Sequence, residues 1–119
     1  MKRVIVAQQG EVRVYRIDDL PAGMKTREPQ RDAAGRAIIS HSESGHNHVI
    51  AGGAEVLERE DNVPAGMAIF YAICCEPDAL IQDAPTPHGR IPLEADSIYE
   101  CRVSREYDPF MEIARRVMD

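Results

Sequence analysis

Three of the chain's four histidines fall between His41 and His48, in the run Ser40-His-Ser-Glu-Ser-Gly-His-Asn-His48. Imidazole is the commonest metal ligand, and its charge changes near neutral pH, so such a cluster points to metal or proton chemistry. The fourth histidine, His88, stands apart in Thr86-Pro-His-Gly89. No complete catalytic motif accompanies them. The chain has no Gly-x-Ser-x-Gly elbow, and Ser42 on a strand would project away from its neighbour His41. Gly35 and Gly52-Gly53 read as turn glycines rather than a phosphate-cradling loop, and Arg105-Glu-Tyr107 reads as a solvated connection. The residues name a site without naming a reaction.

A hairpin is the element that would gather the cluster. With Ser44-Gly45 as a two-residue turn, His41 faces His48, Glu43 faces His46 and Ile39 faces Ile50. Opposed residues of an antiparallel pair share a face, with Cβ atoms about 5 Å apart. The face then carries His41, Glu43, His46 and His48, and two such imidazoles can meet one ion at about 2 Å. A four-residue turn would move Glu43 into the loop and set His41 opposite His46, yet keep the three histidines together. His88 would have to arrive from another loop. Such a nitrogen-rich set with one carboxylate suits Zn, Fe, Mn, Ni or Cu. The metal-free alternative is a solvated or hydrogen-bonded polar face.

The rest of the chain reads as the scaffold for that hairpin. Residues 4–7 and 12–17 alternate as strands around Gln8-Gln-Gly10, and a polar stretch over 20–35 reads as a long loop. Strands are expected over 36–42, 46–51, 54–59, 67–75, 79–82 and 97–104, with 67–75 the most apolar and hence central. One helix is expected at the C-terminus, where Asp108 can cap, Pro109 suits the first turn, and Phe110, Ile113, Ala114 and Val117 share a face. One repeat stands out. Arg16-Ile-Asp-Asp-Leu-Pro-Ala-Gly-Met24 matches Arg59-Glu-Asp-Asn-Val-Pro-Ala-Gly-Met67, and Pro is expected in the first central position of each turn.

Bulk properties bound the function. A length of 119 residues corresponds to one domain, 1–119, large enough for a core without disulfides. Cys74, Cys75 and Cys101 form no CxxC pair and read as reduced thiols, which suits a cytoplasmic protein. A net charge of −6 with scattered basic residues argues against nucleic acid or an anionic membrane as partner. The apolar start of the chain stops at Gln8, too soon for a signal peptide.

Gly45-His-Asn-His48 followed by Glu55 resembles the first motif of the cupins, small β-barrels that hold metal with three His and one Glu. The second cupin motif, Pro-x-Gly-x-x-His, is half met by Pro64-Ala-Gly66, with Ile69 where the histidine belongs. The order His41-Ser-Glu-Ser-Gly-His-Asn-His48, Pro87-His-Gly-Arg-Ile-Pro-Leu93 and Arg105-Glu-Tyr-Asp-Pro109 is also similar to short uncharacterised bacterial and prophage-encoded proteins. That likeness implies a shared fold and site but no activity. The expectation is an all-β domain, a small barrel or β-sandwich in the cupin-like or β-clip-like range, with a short C-terminal helix. Its expected function is to bind a divalent transition metal at His41, His46, His48, Glu43 and His88. The alternative is a non-catalytic phage- or host-associated interaction protein with a histidine-lined interface. A small-molecule ligand and a homo-oligomer are the partners compatible with either.

Overall fold

The computed structural model describes residues 2–41, 46–83 and 89–104. Its order is β1 (Arg3–Gln9), β2 (Val12–Ile17), β3 (Thr26–Arg27), β4 (Ile38–Ser40), β5 (His48–Ile50), β6 (Glu55–Arg59), β7 (Met67–Cys74), β8 (Asp78–Gln82), β9 (Ile91–Leu93) and β10 (Ser97–Ser104). These make two antiparallel sheets, β1-β2-β10-β7-β6-β3 and β4-β5-β8-β9. The described residues are therefore all-β, in two sheets with separate strand orders, and the expected C-terminal helix lies outside them.

Period-2 alternation explains the main core. Val12, Val14, Phe70, Tyr99 and Val103 of the larger sheet meet Ile39, Ile50, Leu80 and Leu93 of the smaller in one buried cluster. The most apolar segment, β7, is central as expected. It is flanked by β6 and by β10, which pairs with it without a break from Ser97↔Cys74 to Ser104↔Met67. Two strands escape the sequence reading. β3 is two residues long and lies within the expected loop, and β9 carries Pro92 at its centre, so neither shows a run of alternation.

The other face of the larger sheet holds a second, smaller core. Ile17, Ile69 and Tyr71 are covered there by Leu20, Met24 and Val63, residues of the two repeated Pro-Ala-Gly segments. Lys25, which follows the first segment, bonds to the second, its N–H donating to Asp61 Oδ1 at 2.9 Å and its carbonyl accepting from Glu60 N–H at 2.8 Å. The turn itself differs from expectation by one position. Met67 N–H donates to Pro64 O, so Pro64 opens the turn and Gly66, at φ +78°, takes the second central place. A type II turn requires positive φ there, which glycine supplies.

Beside this small core lies a fully buried carboxylate. Glu100 accepts from Arg102 Nε at 2.6 Å, Arg3 Nε at 2.9 Å and the Tyr71 hydroxyl at 3.0 Å. Arg59 donates to the same Tyr71 oxygen. Among the described residues no buried side-chain polar atom lacks a hydrogen-bond partner. Burial works to raise the Glu100 pKa, but hydrogen bonds from Arg102 and Tyr71 and the charges of Arg102 and Arg3 outweigh it and hold the group below the usual carboxylate range. Glu100→Ala should destabilise the fold by about 3 kcal/mol, because it strands Tyr71 and two guanidinium groups that still reach solvent. Urea denaturation at neutral pH checks this. A depressed carboxylate stabilises above its unfolded pKa of about 4.3 and loses that contribution as pH falls through the folded value. Glu100→Gln should accordingly lose less stability than the parent on acidification below about pH 5, read from midpoints at successive pH values.

The three cysteines divide by exposure. Cys74 and Cys101 are buried and Cys75 is exposed. Desolvation pushes the Cys74 thiol up to about 11 and the Cys101 thiol up to about 12, so both stay protonated and unreactive. A thiol reagent should label Cys75 alone in the native protein and all three cysteines after denaturation, as counted by mass spectrometry.

Candidate functional site

His48 sits where the tip of the β1–β2 hairpin meets the smaller sheet. Gln9 pairs with Val12, which leaves Gly10-Glu11 as a two-residue loop with Gly10 at φ +57° in the first central position. That is where a type II′ turn needs glycine, and such turns match the twist of the strands they join. The tight turn projects Gln9 and Glu11 against β4 and β5. Glu11 accepts a hydrogen bond from the Ser40 hydroxyl, and Gln9 is buried beside His48.

Pairing between β4 and β5 departs from the expected register. Ser40 faces His48 and Ile38 faces Val49, with a β-bulge between them. The extra residue changes the parity of the pairing, so His48 shares a side with Ser40 rather than with His41. The expected juxtaposition of His41 with His48 is thereby corrected. His48 is 4% exposed, while His41 is exposed and faces a separate cleft of about 450 Å³. Arg27, Glu28 and Glu58 line that cleft with His41 over a floor of Ile38 and Phe70, and Arg27 is paired to Glu58 at 2.6 Å.

Each of the other two described imidazoles is held through Nδ1. His48 Nδ1 lies 2.9 Å from Gln9 Oε1, and His46 Nδ1 lies 3.1 Å from the backbone oxygen of Asp83. The Gln9 amide cannot be turned over, because its Nε2 donates to Gly89 O. Both partners of the imidazoles are thus acceptors, and each Nδ1 must carry a proton. In the neutral ring the lone pair then resides on Nε2.

Asp83 is itself fixed. Its N–H donates to Asn47 O at 2.8 Å, and its carboxylate pairs with Arg36 Nη2 at 3.0 Å. Arg36 is anchored in turn on Asp32, whose pKa is lowered first by the backbone N–H of Arg36 and further by that guanidinium, against a smaller opposing effect of burial. Gly89, whose carbonyl receives the Gln9 amide, is the residue that follows His88 in the chain.

Glu43 and His88, the remaining expected ligands, lie outside the described residues. Among the described residues, no three His, Cys, Asp or Glu side chains form a group that could hold a metal. His41, His46 and His48 therefore do not make a centre by themselves, and the bulge in β4 is the reason. Sequence reading missed Gln9 and Asp83 altogether. The one available signal was Gln8-Gln-Gly10, legible as a turn but not as a partner of a distant histidine.

Two facing antiparallel sheets, with His48 held by Gln9 where a hairpin tip meets the smaller one, define a small all-β domain. Residues 8–102 match a domain of unknown function, DUF8820, and the chain belongs to that family. No curated protein and no solved structure matches the chain. The family is an uncharacterised one, as expected from the sequence, and it brings no activity with it.

Gln9→Leu removes the acceptor of a buried imidazole N–H. It should cost about 1–3 kcal/mol, the usual penalty for leaving such a donor unpaired. Long-range proton–nitrogen spectra of the parent should show His46 and His48 as Nδ1–H tautomers, with His48 alone becoming mixed in the variant.

Proposed function

We propose that this protein is a divalent-metal-binding β-domain in which His46 and His48 supply two nitrogen ligands through Nε2. Glu43 and His88 are the further ligands in this reading, and a transition ion such as Zn, Fe, Mn, Ni or Cu is the cofactor. The observation that carries it is the shared Nδ1 arrangement, with His48 on Gln9 and His46 on the Asp83 carbonyl. Metal-bound histidines characteristically donate their second ring N–H to an oxygen, which fixes the tautomer and raises the basicity of the ligating nitrogen. A rigid second layer also supports the reading, since Gln9 is itself bonded to Gly89 and Asp83 to Arg36. His41 has no part in this ligand set, because it lines the cleft with Arg27 and Glu58.

Elemental analysis of untagged protein after reconstitution with Zn, Mn, Ni or Fe should find about one equivalent of metal. His46→Ala should abolish that binding while circular dichroism shows an unchanged fold, and His41→Ala should leave binding intact. Retention of less than about a tenth of an equivalent of every metal overturns the proposal. That result would favour the other reading, a non-catalytic interaction protein with a histidine-lined surface.

A further inference from the structure

Among the described residues, the four sheet edges are not treated alike. β3 is two residues long and contains Arg27, β4 is three residues long with its first residue, Ile38, bonded to Gln30, and β9 has Pro92 at its centre. Shortness, charge, a covering segment and proline are standard ways of preventing a sheet edge from pairing with another chain. β1 is different. It is seven residues long, stands at the end of the larger sheet, and exposes Val4 by 51%, Ile5 by 55% and Val6 by 47%. These are the exposed large hydrophobics among the described residues, and they are consecutive. The one edge-blunting device in β1 is a bulge between Ile5 and Ala7, and the residue it inserts, Val6, is apolar and not charged.

We propose that β1 pairs antiparallel with β1 of a second copy of this chain, joining the two larger sheets into one. The strand's own order selects that occupant. Arg3-Val-Ile-Val-Ala-Gln8 is polar at both ends and apolar in the middle, so a two-fold antiparallel pairing lays the apolar centre on itself. The same pairing, centred on Ile5, sets Lys2 opposite the other copy's Gln8, whereas a parallel pairing would stack Lys2 and Arg3 on their own equivalents. Arg3 is already drawn to Glu100 and to the face of Tyr15 at 5.6 Å, which turns its charge away from the free edge. The interface lies on the edge strand and uses neither His46 nor His48.

Light scattering coupled to size exclusion on the full chain tests this. The parent should have the mass of two chains at about 100 µM, and Ile5→Lys should have the mass of one, with unchanged circular dichroism and melting temperature. Val4→Lys provides a second exposed position should Ile5→Lys fail to fold, and it too should give a single-chain mass. A parent of single-chain mass overturns the proposal and leaves residues 105–119 of the chain itself, or a different protein, as the occupant of the edge. A two-chain mass that survives a folded lysine variant also overturns it.

Discussion

The uninterrupted pairing of β7 with β10 is the constraint on which the other contacts rest. Its register runs through the full length of both strands, from Ser97↔Cys74 to Ser104↔Met67. Because side chains alternate, that register alone decides which residues enter the main core and which face the repeated loops. Phe70, Ala72 and Cys101 go one way, and Tyr71 and Glu100 go the other. β2 then builds on β10 and β6 on β7, so the histidine site inherits its position from a pairing far from it in sequence.

Two polar arrangements are built on this frame, and they differ in kind. Glu100 is a closed network in which the arginines and Tyr71 satisfy the carboxylate from several sides. A buried charge so enclosed holds the sheet face together and offers nothing to a ligand. The histidine site is a relay of acceptors, with Gly89 holding Gln9, Gln9 holding His48, and Asp83 holding His46. There the backbone and amide oxygens set the tautomer of each ring, with the proton on Nδ1.

Much of the architecture was legible because alternation is a local property. The strands over 12–17, 67–74 and 97–104 announce themselves through their apolar period, and each forms as expected. β3 and β9 were not legible, since strands of two and three residues are defined by a partner and not by a pattern. The site was half legible. The density of histidines marked the place, but the face they share depends on pairing parity, and one bulged residue in β4 reverses it.

The sequence by itself determined the all-β character, the centrality of 67–74, the presence of turns at the repeated Pro-Ala-Gly segments and the neighbourhood in which imidazole is concentrated. These follow from side-chain period, apolar content and the backbone freedom of glycine, all of which act over a few residues. Tertiary structure alone decided that Gln9 orients His48, that Asp83 orients His46, and that His41 belongs to a different cleft. Those outcomes require segments tens of residues apart to meet at hydrogen-bonding distance. That meeting is fixed by how two sheets close on one core and not by any local preference of the chain.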